Sequence, residues 1–274
     1  MALASARPQN RPSFWRNLWA NALLAPKTSL GFMRLDFVLG TIFIIPFTQM
    51  AFFAFTVQLG GGSAQAIQYV VVGNAVATVT YSSIFSVCQT TDSEKNQGTM
   101  EHLLVSPANR LALYLGRGLV PILVSLATVT VALTYAVVFF HVPLAGIDGP
   151  ALAISIVLTA FAMVGFGLLL GGVALYLRTS IILGNIFLFV GLLLSGANFP
   201  LSVLPAPLQI VGYGLPLTWG LASIRAALSG PPDAQLFGLW GALGMAIVVT
   251  VGLAMALWGY FERRALSTGS IARF

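Results

Sequence analysis

The 274-residue chain is 58% hydrophobic and only 7% charged, against about 25% charged residues in an average globular domain. So few charges cannot cover the water-facing surface of a soluble protein of this length, which excludes a separate aqueous domain and makes the chain an integral membrane protein. The formal net charge of +6 would suggest nucleic acid in a soluble protein. Here the placement of the basic residues matters more than their sum, and lipid rather than nucleic acid is the expected partner. The single cysteine, Cys88, excludes a disulfide within the chain. No short apolar core with a small-residue cleavage site stands near the start, so no removable signal peptide is expected.

Residues Met1 to Asn10 are small, polar and basic. From Ser13 onward Phe14, Trp15, Leu18, Trp19, Ala22 and Leu23 recur at helical spacing, with Arg16, Asn17 and Asn21 on the other face. This predicts an amphipathic helix, either lying in the membrane interface or packed on the protein's own cytoplasmic surface. The first span is predicted over Phe37 to Gln58, long enough at about 1.5 Å per residue to cross a hydrocarbon core of about 30 Å. Pro46 inside it is a candidate kink. Gly60, Gly61 and Gly62 make an uncharged turn, and Ile67 to Thr90 is the second span. Its polar face carries Asn74, Tyr81, Ser82 and Ser83, which suit either hydrogen bonding between helices or the lining of a path.

Ser93 to Arg110 gathers Glu94, Lys95, Glu101, His102 and Arg110 into one polar stretch between oily flanks. With Gly98 as a break, Thr99 to Val105 reads as a short helix with Met100, Leu103 and Leu104 on one side, stopped by Pro107. It suits the groove of another protein; the alternative is a solvated connecting loop.

Leu111 to Phe140 is the third span, with Arg117 near its entry either snorkelling to the headgroups or serving as a functional charge. After a turn containing Asp148, Ala151 to Leu177 is the fourth span, where Gly167-x-x-x-Gly171 allows close helix approach. Arg178 marks a short turn, and Ile181 to Ala197 is a fifth, short span that contains Asn185. The run from Asn198 to Leu208 is apolar yet broken by Pro200, Pro205 and Pro207. An apolar segment that cannot form one helix fits a re-entrant hairpin dipping part-way into the bilayer. Phe237 to Phe261 is the sixth span, followed by Glu262-Arg263-Arg264.

Assigning alternate sides puts Arg7, Arg11, Arg16, Lys27, Arg34, Lys95, Arg110, Arg117, Arg178, Arg263, Arg264 and Arg273 on one face and leaves only Arg225 opposite. Twelve of the thirteen basic residues on one side is a positive-inside signal, predicting six spans with both termini cytoplasmic. The expected organisation is one transmembrane domain over 1–274: a cytoplasmic or interfacial helix in 1–34, a six-span bundle in 35–261 with the cytoplasmic segment 91–110, and a tail in 262–274.

His102 and His141 fall on opposite sides and Cys88 stands alone, so no metal site is expected. Neither histidine lies beside a serine within a span. No G-x-x-x-x-G-K-[ST] phosphate loop occurs in the sequence, so the chain is not expected to hydrolyse ATP itself. Ion-driven carriers usually bury ionisable groups mid-span, and the spans here hold none at depth. The drive is expected to come from outside the chain.

Glu94-Lys95-Asn96-Gln97-Gly98-Thr99-Met100-Glu101-His102-Leu103-Leu104-Val105-Ser106-Pro107-Ala108-Asn109-Arg110 resembles the glutamate, Gly-Thr, glutamate, Leu-Leu, Ser-Pro, arginine pattern that follows the second span in ABC-2 type transporter permeases. Asn96 and Gln97 depart from the charged residues expected there. Gly196-Ala197-Asn198-Phe199-Pro200, Leu204-Pro205 and Leu215-Pro216-Leu217-Thr218 with Arg225 resemble the family's region between its last two spans. The resemblance covers nearly the whole chain. It implies an all-α permease that dimerises with another copy or a related chain, and that docks on a separate subunit carrying ATP and Mg²⁺. It also implies outward export of an amphiphilic, drug-like or lipid-linked substrate across a bacterial inner membrane.

On that resemblance the coupling helix comprises Glu94, Gly98, Thr99, Met100, Glu101, Leu103, Leu104 and Arg110. Its carboxylates and arginine would pair charges, Gly98 would make a tight turn and Thr99 would cap the helix. Met100, Leu103 and Leu104 would anchor it in the partner or tuck against the spans. The outer gate comprises Phe199, Pro200, Leu204, Pro205, Pro216, Thr218 and Arg225. Asn74, Tyr81, Ser82, Asn185 and Asn198 are candidates to line the path or to pack helices together. Two alternatives stay open: an intramembrane enzyme acting on a lipid or peptide, which needs a convergent catalytic set, and a non-transporting scaffold for the ATP-binding partner.

Overall fold

A computed structural model describes residues 39–96, 110–143, 147–174 and 180–268, with side chains for 39–88, 118–143, 147–173 and 182–260. The described residues are all helical or irregular. The helices are α1 (Ile45–Leu59), α2 (Ala64–Asn96), α3 (Arg110–Val138), α4 (Gly149–Ala174), α5 (Ser180–Leu194), α6 (Ala206–Tyr213), α7 (Pro216–Ser229) and α8 (Ala234–Thr268). Five stretches are long and apolar enough to cross a membrane: Gly40–Leu59, Ala64–Cys88, Gly118–Val138, Gly149–Val173 and Ala234–Tyr260. A shorter apolar helix, Ile182–Leu194, accompanies them. The chain is therefore a multi-pass membrane protein. The expected amphipathic N-terminal helix lies outside the described residues.

The elements follow from local sequence. Ahead of α1 the chain makes one π-type turn over Gly40–Ile44, in which the Ile45 amide bonds the Gly40 carbonyl. Pro46, in the first turn of α1, cannot donate and would crowd a carbonyl one turn back. The widened turn absorbs that conflict, so the expected kink takes the form of a π-bulge. α3 ends where His141 enters the left-handed region at φ 53°, while the Val142 amide reaches back to the Ala136 carbonyl at 3.1 Å. The carboxylates of Asp148 and Asp233 each accept a hydrogen bond from a first-turn amide, Ala151 N–H and Leu236 N–H, both at 2.8 Å. These N-caps begin α4 and α8.

α2 is the axle of the bundle. Its most apolar stretch is 83% buried, against 17% for the corresponding stretches in α1 and α8. One core joins Val76, Val79 and Ile84 of α2 to Val129 of α3, Met163 of α4 and Leu217, Leu221 and Ile224 of α7. A second packs Met50 and Ala54 of α1 on Val71 and Ala75 of α2 and Ala132 of α3. A third brings Trp258 of α8 to Val164 and Leu168 of α4. α4 makes its close approaches through glycines. A Cβ at Gly167 would lie 3.2 Å from the Ser83 carbonyl of α2, and one at Gly165 would lie 2.6 Å from Thr250 Oγ1 of α8.

Two helices depart from the sequence-derived bounds. α2 continues beyond Thr90 to Asn96, so Glu94 stands on its last turn instead of in a connecting loop. α8 likewise runs to Thr268, past the expected start of the tail. α5, by contrast, stops at Leu194, ahead of the expected Ala197. The reason is Gly196, whose φ of +84° turns the chain out of the helix at a value favourable only to glycine.

Candidate functional site

Between α5 and α7 the chain is divided by its own prolines. Pro200 precedes a 3-10 turn over Leu201–Val203, Pro205 precedes α6, and Pro216 opens α7. Proline fixes φ near the helical value and needs no amide acceptor, so it starts helices but cannot continue them. The elbow over residues 195–200 has no regular structure, yet Ser195, Gly196 and Ala197 are buried. Buried carbonyls in an irregular segment need donors from elsewhere.

Arg225 of α7 supplies them. Its Nη1 donates to the Gly196 carbonyl at 2.9 Å, and Nη2 donates to the carbonyls of Tyr69 at 3.1 Å and Ala197 at 3.3 Å. The Tyr69 ring lies 3.6 Å beneath the guanidinium carbon, a cation–π arrangement. The Tyr69 hydroxyl donates to the same Gly196 carbonyl at 3.0 Å. The contact depends on Gly73, because a Cβ there would sit 1.9 Å from the Ala197 carbonyl oxygen and 2.8 Å from Arg225 Nη2.

Beside this cage lies an amide chain. Gln49 Nε2 of α1 donates to Asn74 Oδ1 at 3.0 Å, and Asn74 Nδ2 donates to Asn198 Oδ1 at 2.8 Å and to the Val70 carbonyl at 2.9 Å. Asn198 Nδ2 reaches the Leu192 carbonyl at 3.3 Å. α1, α2, the elbow and α7 therefore meet in one polar cluster near the start of α2. Further along α2, Ser125 of α3 hydrogen-bonds both Ser82, at 3.0 Å, and Ser83, at 2.8 Å.

The structure brings Asn74, Asn198 and Arg225 together, and it does not bring Tyr81 or Ser82 to them. Tyr81 stacks on Phe85 with centroids 4.7 Å apart, and Ser82 is buried in the α2–α3 contact. Asn185 is half-buried on α5. Pro216 and Thr218 are buried, with the Thr218 hydroxyl on the Gly212 carbonyl. Phe199 and Leu204 are half-buried, and Pro200 and Pro205 are exposed. Of the coupling residues, Glu94 lies on the last turn of α2 and Arg110 begins α3. Gly98, Thr99, Met100, Glu101, Leu103 and Leu104 lie outside the described residues. Gln49, Tyr69, Gly73, Gly196 and Ser125 were not singled out as site residues. Gln49 and Tyr69 carried a usable signal, since a polar group inside an apolar span needs a partner.

A bundle of apolar helices pinned by buried polar clusters, with a proline-broken region between its last two apolar helices, defines a multi-pass membrane domain. Residues 11–229 match the family described as ABC-2 type transporter, and the chain belongs to that family. It is similar to the probable multidrug ABC transporter permease YbhR of Escherichia coli strain K12, at 25% identity over 203 residues. That similarity covers 73% of this chain and 54% of YbhR; the YbhR of Escherichia coli O157:H7 gives the same values. The chain thus spans about half the length of the curated relatives it matches.

Proposed function

We propose that this chain is the permease subunit of an ATP-driven exporter that moves an amphiphilic, drug-like or lipid-linked substrate outward across a bacterial inner membrane. It works with a separate ATP-binding subunit, which handles ATP and Mg²⁺, and with a second permease half, a copy or a related chain. The observation that carries this reading is the family match over residues 11–229, which takes in both the coupling segment and the proline-broken region. The multidrug description of YbhR supports the drug-like end of the substrate range. Assigning alternate sides to six spans gathers twelve of the thirteen basic residues on one face, which supports both termini and the segment 91–110 in the cytoplasm. In that arrangement α5 is the fifth span and the elbow with α6 forms a re-entrant cap on the outer side.

The mechanical link is α2. It runs without interruption from Ala64 to Asn96, carrying Glu94 at one end and Tyr69, Gly73 and Asn74 towards the other. Asn74 and Glu94 are separated by roughly 30 Å of rigid helix at about 1.5 Å per residue. Closure of the ATP-binding subunits on Glu94, Gly98, Thr99, Glu101 and Arg110 tilts α2 and so loads the outer cluster, with Met100, Leu103 and Leu104 as the apolar anchor. Such a push does work only if the two arrangements bind the partner differently. Glu101→Arg is expected to leave folding and dimerisation intact and to abolish transport-linked ATP hydrolysis in the reconstituted complex. Unchanged substrate-stimulated hydrolysis counts against the assignment.

A further inference from the structure

Arg225 is the one lysine or arginine among the described side chains, and it sits half-buried without a carboxylate. The two carboxylates among those side chains, Asp148 and Asp233, are taken up by helix caps. The cation is held instead by three neutral carbonyls, at 2.9, 3.1 and 3.3 Å, and by the Tyr69 ring face at 3.6 Å. A flat ring below and carbonyls around the rim is a set suited to a planar, delocalised cation, and poorly suited to a compact ammonium.

Two features make this grip reversible. Removing an arginine from a buried ion pair strands an anion, whereas leaving this cage strands only neutral dipoles that water or another cation can solvate. The buried Nε of Arg225 also has no partner among the described residues, so they hold the guanidinium below its full capacity. The cage exists because Gly73 has no side chain and because Gly196, at φ +84°, turns its carbonyl towards both Tyr69 and Arg225.

We infer that Tyr69, Gly196 and Ala197 form a guanidinium-binding site that the chain's own Arg225 fills as a removable pin. In the pinned state the elbow is fastened to α2, and the pin leaves when the outer end of the path opens. The opening step rests on the exporter reading above; the site itself does not. Small planar cations of the guanidinium class are its other ligands.

The test uses Ser195→Cys as reporter in a Cys88→Ser background. Ser195 is buried, with a hydroxyl that makes no hydrogen bond, so the exchange is nearly isosteric and costs no bond. The chain is assembled with its ATP-binding subunit and treated with a membrane-impermeant maleimide. Adding Arg225→Ala is expected to raise the labelling rate at least tenfold without ATP and to lower the thermal midpoint by several degrees. Methylguanidinium at tens of millimolar is expected to reverse much of both changes, and sodium chloride or urea at equal concentration to reverse neither.

With Arg225 intact, ATP turnover is expected to raise labelling above the resting rate. Unchanged labelling in Arg225→Ala, or equal reversal by sodium chloride, overturns the proposal. If Arg225→Ala does not fold, Arg225→Lys carries the test. Its ammonium fits the cage poorly, so faster labelling supports the pin and labelling at the parent rate overturns it. Rescue by methylguanidinium needs no transport: a complex that is rescued but never exports sinks the exporter reading alone, and one that exports without rescue sinks the pin alone.

Discussion

Gly73→Ala adds one methyl group where α2, the elbow and Arg225 converge. The new Cβ would lie 1.9 Å from the Ala197 carbonyl oxygen and 2.7 Å from its carbon. Ordinary contact begins near 3.4 Å, so the elbow must retreat by about 1.5 Å. The obstacle is backbone, and no rotamer change relieves it. Overpacking of this kind costs about 1–3 kcal/mol, and each Arg225 bond stretched by the retreat adds about 1.5 kcal/mol or more. The better helix propensity of alanine returns at most about 1 kcal/mol, leaving a net loss of roughly 2–4 kcal/mol.

Gly241→Ala on α8 is the control. A Cβ there meets nothing within 4 Å, so only the propensity gain of about 0.5–1 kcal/mol remains. Thermal unfolding of the two purified variants in detergent separates them. At roughly 2–4 °C per kcal/mol for a chain of comparable size, Gly73→Ala should melt about 4–16 °C below the parent and Gly241→Ala slightly above it. A Gly73→Ala protein as stable as the Gly241→Ala protein refutes the close approach of α2 and the elbow.

Ser125→Ala removes both hydroxyl contacts from α3 to Ser82 and Ser83; at about 0.6 kcal/mol per interhelical bond it should cost about 1 kcal/mol. Ser82→Ala should cost less, because the Ser83 contact survives, and melting of the two variants in parallel checks the order. Asp148→Ala removes the N-cap of α4 and should cost about 1 kcal/mol, while Asp148→Asn should cost only a few tenths. Equal losses for the two Asp148 variants would mean that the side-chain oxygen does not act as the cap.

The helices were legible because their signals are local. Long apolar runs give spans and prolines mark the breaks between them, and Gly167 is recognisable as a close-packing position. What the sequence could not convey was which polar residue meets which. Asn74 and Asn198 both read as ambiguous polar residues, and only folding brings them within 2.8 Å. Arg225 is the basic residue that an alternating assignment of sides leaves apart, but its partners are backbone carbonyls from Tyr69, Gly196 and Ala197. No residue type advertises an accepting carbonyl. The end of α5 is hidden for a related reason: Ala197 is apolar and continues the run, while the turn is set by the backbone of Gly196. The prolongation of α2 through Asp92 and Glu94 was hidden by polarity, because a helix that leaves the membrane loses its apolar pattern before it loses its hydrogen bonds.

If a cytoplasmic partner drives this permease through residues 94–110, a cysteine introduced there must reach it. Cross-linking from Glu101→Cys, in a Cys88→Ser background, within membrane vesicles of defined orientation measures that contact. A cross-link to the ATP-binding subunit that changes in yield with nucleotide is expected, together with labelling by an impermeant reagent only where the cytoplasmic face is exposed. Labelling from the outer face, or no cross-link in a complex that is hydrolysing ATP and moving substrate, would contradict it.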